Sequence, residues 1–167
     1  MHAFIGLGSN LDYPSQRLIS ALWALQRLPG LTLRQHSRLY TSAPVGPQDQ
    51  PDYVNAVAAV DTSLAPHTLR HSLQALELAA GRQRLRHWGE RTLDLDILLI
   101  DNRAIDSDDL QVPHPQMTRR AFVLLPLLEI CPDALLPDGT ALSSFLGQVT
   151  EQPISPLAEL DRNALIE

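Results

Sequence analysis

With 167 residues, 44% of them hydrophobic and 19% charged, the chain is sized for one domain around one ordinary core. A formal net charge of −6, with no run of five like charges, excludes a surface that attracts nucleic acid or acidic membrane as a whole, so any polyanion site has to be local. The single cysteine, Cys131, excludes an internal disulfide and reads as a small core residue, while the lack of a basic leader and of any apolar run near the roughly 20 residues of a membrane span leaves the cytoplasm as the expected compartment.

Residues 2–8 predict a short buried strand that breaks at Gly8-Ser9-Asn10, where glycine and asparagine tolerate turn geometry. Pro14 then suits the first turn of a helix, and Leu18, Ala21, Leu22, Leu25 and Leu28 recur at helical spacing until Pro29-Gly30 stops them. Leu31 to Tyr40 alternates apolar and polar, and Tyr53 to Val60 is rich enough in β-formers to be its neighbour. Between them, the prolines of 44–52 cannot donate ladder hydrogen bonds, so this stretch predicts a long loop. Pro66 opens a second helix with Leu69, Leu73, Leu76 and Ala80 on one face, closed by Gly81. A basic loop over 82–91 leads into a strand over 93–100. Further helical material is expected over 119–130 and 142–149, and a loosely attached tail from Glu151. The order strand, helix, strand, strand, helix, strand is that of a ferredoxin-like α+β domain, an antiparallel sheet covered on one face by helices with long mobile loops.

The most informative stretch is Leu93-Asp94-Leu95-Asp96-Ile97. A strand's period of two puts Asp94 and Asp96 on one face and the apolar residues on the other. Two carboxylates held close repel each other, and hard oxygen ligands suit magnesium; a half-exposed strand face would show the same alternation. Directly upstream, Gly81-Arg82-Gln83-Arg84-Leu85-Arg86-His87-Trp88-Gly89-Glu90-Arg91 gathers four arginines in an otherwise acidic protein. Guanidinium forks bind phosphate oxygens in pairs, and magnesium commonly completes its shell with substrate phosphates, so each half accounts for the other. Surface salt bridges are the plainer use of such arginines. In Val112-Pro113-His114-Pro115, two prolines fix the backbone around His114, and Arg119 and Arg120 follow as further donors for a phosphate chain.

On these residues the chain resembles the 6-hydroxymethyl-7,8-dihydropterin pyrophosphokinases of folate biosynthesis from Gly8-Ser9-Asn10 to about Gly139. The signature segment reads Arg86-His87-Trp88-Gly89-Glu90-Arg91-Thr92-Leu93-Asp94-Leu95-Asp96-Ile97. It is supported by Pro47-Gln48-Asp49-Gln50-Pro51-Asp52-Tyr53-Val54-Asn55 and by the prolines around His114. The resemblance implies a ferredoxin-like monomer acting on two small molecules, ATP and the hydroxymethyl pterin, with two magnesium ions (Mg2+) held by Asp94 and Asp96. It implies that Asn55 hydrogen-bonds the pterin edge, that Tyr53 and Phe122 sandwich the ring, and that Ser42, Ala43, Pro44 and Val45 line that pocket. Gln74, Glu77, Arg82, Arg84, Trp88, Arg91, Ile97, His114 and Arg120 fall where the family contacts the nucleotide. Among these, Arg82 and Arg91 join the two aspartates as catalytic residues, and the loops 44–52 and 82–91 take the part of lids. His87, Glu90, Ser42 and Asp109 depart from the common arginine, proline, threonine and arginine of the family.

Two other classes share part of this pattern. A magnesium-dependent phosphotransferase with another hydroxylated acceptor needs the same aspartates and arginines, and only Asn55, Tyr53 and Phe122 favour a flat heterocycle. A nucleic-acid module on a ferredoxin-like sheet would use stacked aromatics, but 5% aromatic content and the acidic balance weigh against it.

Overall fold

The computed structural model describes residues 1–11, 13–44, 49–81 and 92–157. Strand β1 (His2–Ser9) is an interior strand of the sheet, paired on both sides, and α1 (Pro14–Arg27) follows with proline in its first turn, where a missing N–H costs nothing. The strand expected over 31–40 is divided into β2 (Leu31–His36) and β3 (Tyr40–Ser42), both paired with the ten-residue β4 (Tyr53–Thr62). Ser37 bridges the break: its N–H donates to the Val57 carbonyl at 2.8 Å, and its Oγ accepts the Val57 N–H at 3.0 Å. The ladder thus changes partners without orphaning a buried amide.

Helix α2 (Pro66–Ala79) ends at Gly81, whose φ of +77° is the left-handed geometry glycine adopts without penalty. Strand β5 (Asp94–Ile100) completes the antiparallel order β5-β1-β4-β3, with β2 also on β4. A small hairpin, β6 (Ile105–Asp106) and β7 (Gln111–Val112), places the acidic 106–109 stretch at its turn. The helical stretch expected from Arg119 begins as a 3-10 turn, Met117–Arg119. Arg120 then stands extended, and α3 (Ala121–Ile130) follows. Leu142–Gln148 is a 3-10 helix.

Alternation along β1 and β4 sorts the core into two layers. Ala3, Ile5 and Leu7 pack with Leu18, Leu22 and Leu25 of α1 and Leu69 and Leu73 of α2. On the opposite face Phe4, Val57 and Ala59 pack with Val123, Leu124 and Leu127. Helices therefore lie on both faces, with α3 covering part of the face that the sequence left bare. Phe4 pairs with Leu99 and Ile5 with Ile97, so Leu98 is an extra residue, and Leu98 and Leu99 both join the α3 layer.

Within the tail expected from Glu151, Ile154–Pro156 forms β8, which pairs with β3 and extends the sheet. Residues 158–167 of that expectation lie outside the described residues. Cys131 packs against the α3 layer as a partly buried thiol.

Candidate active site

Because α3 covers only part of its face, the sheet surface near the end of β1 stays open, and the register decides what meets there. Gly8 of β1 pairs with Asp94 on one side and Asn55 on the other, and Gly6 pairs with Asp96 and Val57. Two residues without side chains thus form the floor between the aspartates and Asn55. A Cβ at Gly8 would stand 3.1 Å from the Asn55 Oδ1, and one at Gly6 would stand 3.3 Å from Leu98. Sequence reading treated Gly8 as part of a turn and gave Gly6 no role. Alternation with the apolar Ala3, Ile5 and Leu7 could have put both glycines on one face of β1, but only the register shows that face to be the acidic one.

The cavity over this floor is lined by Ala43, Tyr53, Asn55 and Phe122 on one side and by Asp94, Asp96, His114 and Arg120 on the other. Asn55 is buried, and its Nδ2 donates to the Ser42 Oγ at 2.8 Å. That bond fixes which way the amide faces and ties β4 to β3. Tyr40, on the same face, donates through its hydroxyl to Glu129 of α3 at 2.5 Å, and the Arg38 N–H donates to the same carboxylate at 2.9 Å. Helix α3 is thereby clamped to the edge of β3, with Phe122 at its start facing the cavity.

Arg120 lies over the Phe122 ring, 5.4 Å from its centre. Burial lowers the Arg120 guanidinium from its ordinary value, and Asp96, Asp94 and Tyr53 pull it back. Arginine keeps its proton in proteins, so this is a desolvated cation balanced by the acidic pair. Burial also holds the His114 imidazole below its usual value, against the attraction of Asp96 and with the repulsion of Arg120. The Gln116 N–H donates to His114 Nδ1 at 3.1 Å, so the neutral ring carries its proton on Nε2 and offers a donor there.

A second cavity opens on the outer edge of β5, between α2 and the β6–β7 hairpin. Gln74, Glu77 and Ile97 line it, and it shares Asp96 and His114 with the first. Glu77 is buried, and its Oε2 accepts the Leu95 N–H at 2.9 Å, capping the free edge of the strand between the two aspartates. Arg70, one helical turn before Gln74, also lines this cavity, as do Asp108 and Asp109. Sequence reading did not single out Arg70, although its i, i+4 spacing from Gln74 carried the signal.

The Gly8-Ser9-Asn10 segment does more than turn. The Ser9 Oγ donates to the Thr92 carbonyl at 2.5 Å, and the Asn10 Nδ2 donates to Gln50 Oε1 at 2.9 Å and to the Pro51 carbonyl at 3.0 Å. The end of β1 therefore holds Thr92 and the residues just before β4 to one point. Pro44 lines a neighbouring pocket with Ser42 and Ala43. Val45, Arg82, Arg84, Trp88 and Arg91 lie outside the described residues, as do 45–48 of the first loop read as a lid and the whole of the second, 82–91.

Asp94 is half-buried and Asp96 exposed, with Leu93, Leu95 and Ile97 buried on the opposite face as the alternation required. Among the described residues no group of three or more histidine, cysteine, aspartate or glutamate side chains could hold a metal alone. Two carboxylates beside an open cavity fit magnesium that takes the rest of its ligands from water and phosphate, not a cage built by the protein.

A family model described as 7,8-dihydro-6-hydroxymethylpterin-pyrophosphokinase (HPPK) matches residues 4–132. The chain is similar to the 2-amino-4-hydroxy-6-hydroxymethyldihydropteridine pyrophosphokinase of Haemophilus influenzae, at 47% identity over 93% of this chain and 97% of that one. It is 52% identical to the Pseudomonas aeruginosa protein of the same name, over 86% of this chain and 88% of that one. Among solved structures, an HPPK-DHPS in complex with substrates shares the fold at a TM-score of 0.72 and 14% identity; the match covers 90% of this chain and 43% of that longer one.

Proposed function

The chain belongs to the 7,8-dihydro-6-hydroxymethylpterin-pyrophosphokinase family, and from that membership we infer that it transfers the terminal diphosphate of ATP to 6-hydroxymethyl-7,8-dihydropterin, releasing AMP, in folate synthesis. The observation that carries this reading onto the geometry is that two cavities meet at Asp96 and His114. One has an aromatic and amide lining suited to a flat heterocycle. The other runs along the acid-bearing strand, where a nucleotide would bring its phosphates to the same aspartates.

In this reading Tyr53 and Phe122 hold the pterin ring by its faces and Asn55 reads its edge, with Ser42 fixing the amide. Ala43, Pro44 and Val45 complete the wall. Gln74, Glu77 and Ile97 seat the nucleotide. Asp94 and Asp96 are the residues that would hold two magnesium ions, which neutralise phosphate charge when bound. The bond that forms joins the pterin hydroxyl oxygen to the β-phosphorus; the bond that breaks frees the bridging oxygen with AMP, and the hydroxyl proton leaves to solvent. Arg120 and the neutral Nε2–H of His114 donate to phosphate oxygens as charge shifts to the leaving group. Arg82, Arg84, Trp88 and Arg91 take nucleotide-binding roles, and Arg82 and Arg91 stabilise the transferred group. In this reading the protein works as a monomer on small molecules in the cytoplasm, without nucleic acid or membrane as partner.

Purified protein given ATP, magnesium and the hydroxymethyl pterin is expected to release AMP in step with pterin consumption. Release of ADP would replace diphosphate transfer with ordinary phosphoryl transfer and overturn the reading.

A further inference from the structure

The residues that follow α3 in sequence return to its beginning. Gln152 lies outside residues 4–132, the segment matched by the family model, and 31 positions beyond the first residue of α3. Its Oε1 accepts the Ala121 N–H at 2.8 Å, and its Nε2 donates to the Arg119 carbonyl at 2.8 Å. Ala121 opens α3, so its N–H is one of the donors a helix cannot satisfy internally, and no nearby side chain caps it. Arg119 ends the 3-10 turn. One carboxamide therefore splints the joint between the two helical pieces, gripping the residue on each side of Arg120.

Arg120 is the extended residue at that joint, with φ −123° and ψ 113°. Both of its neighbours' backbones are held, so the direction in which its side chain leaves the chain is held too. That side chain is the desolvated cation over Phe122 and beside Asp94 and Asp96. Gln152 is itself anchored on both sides. Its own N–H donates to the carbonyl of buried Val149 at 3.1 Å, and β8 begins two residues later on the edge of β3. The hook is fixed to the sheet and not to α3 alone.

We propose that Gln152 is a positioning residue for the diphosphate transfer, acting through Arg120 by bridging the Arg119 carbonyl and the Ala121 N–H. This rests on the function proposed above. A group held before substrate arrives loses less freedom in the reacting complex, and small misplacement near the reacting atoms is costly to rate. Gln152 touches no substrate in this scheme.

The test is a double-mutant cycle on the full chain, comparing native protein, Gln152→Ala, Arg120→Ala and the double variant by kcat/KM for the pterin, with melting temperatures beside them. Gln152→Ala is expected to lower kcat/KM by about fivefold to tenfold while melting stays within a few degrees, in line with two partly exposed hydrogen bonds. In the Arg120→Ala background the same change is expected to lose less than about twofold, because the group it positions is gone. Gln152→Met, which fills the same space without either hydrogen bond, is expected to match Gln152→Ala and serves in its place should the alanine variant fold poorly. Native-like kcat/KM in these variants, or an equal loss with and without Arg120, overturns the proposal. Native protein that makes no AMP overturns the underlying function instead, so the two failures are distinct.

Discussion

Replacing Gly8 by alanine puts a methyl group on the cavity floor at the place where Asp94 and Asn55 face each other across β1. The new carbon would stand 3.1 Å from the Asn55 Oδ1 and 3.9 Å from the Tyr53 ring. Asn55 is 3% exposed and bonded to Ser42 at 2.8 Å, so it can retreat only by loosening that bond. Overpacking of this kind costs about 1–3 kcal/mol. Stiffening the unfolded chain returns about 0.5–1 kcal/mol. The net loss of about 1 kcal/mol lowers the melting temperature by about 2–4 °C in a domain this size. The larger consequence is in binding. In the role proposed for it, a displaced Asn55 would forfeit hydrogen bonds to the pterin worth about 1.5 kcal/mol together, so pterin binding is expected to weaken by about tenfold. Gly6→Ala meets only the Leu98 side chain, at 3.3 Å, which can turn aside, so its effect is smaller. Calorimetric titration of the pterin into each variant, with thermal melts alongside, separates the two terms. Native pterin affinity in Gly8→Ala, or a greater loss in Gly6→Ala, would refute the placement of the floor.

Asp96→Asn is expected to cut turnover by about a hundredfold or more while moving the melting temperature little, as measured by AMP release and a thermal scan. Glu77→Ala orphans the Leu95 N–H and is expected to cost about 1–3 kcal/mol in urea unfolding, whereas Glu77→Gln keeps a carbonyl acceptor and costs less. For His114 the folded pKa is depressed, so the unfolded chain takes up a proton at higher pH than the folded one does. The stability of metal-free protein should therefore fall as pH drops below the usual histidine value of 6.5, down toward the lower folded value; His114→Gln should flatten that part of a melting-temperature profile against pH.

Much of the frame was legible because it is set locally. Pro14 and Pro66 open helices, Pro29-Gly30 and Gly81 stop them, and period-two alternation gave β5 and the common face of Asp94 and Asp96. What escaped sequence reading is set by distant partners. The break between β2 and β3 depends on Ser37 meeting Val57, and β8 exists only because β3 has an edge to offer. Both helical faces of the sheet became visible only when Phe4, Val57 and Ala59 found α3. In the site, the acids and the aromatics were legible by type. The floor was not, since Gly6 and Gly8 matter through the absence of a side chain at positions that only the register identifies. Arg120 was legible as a cation, but its grip by Gln152 links residues more than thirty positions apart.

Whether Asp94 and Asp96 share divalent cations with a nucleotide can be read from crystals grown with a non-hydrolysable ATP analogue, magnesium and the hydroxymethyl pterin. Ion density between the two carboxylates and the phosphate chain, with the hydroxymethyl oxygen facing the β-phosphorus, is the expected result. Carboxylates turned apart or into solvent, with the phosphates bound and no ion between them, would show that the pair serves another purpose.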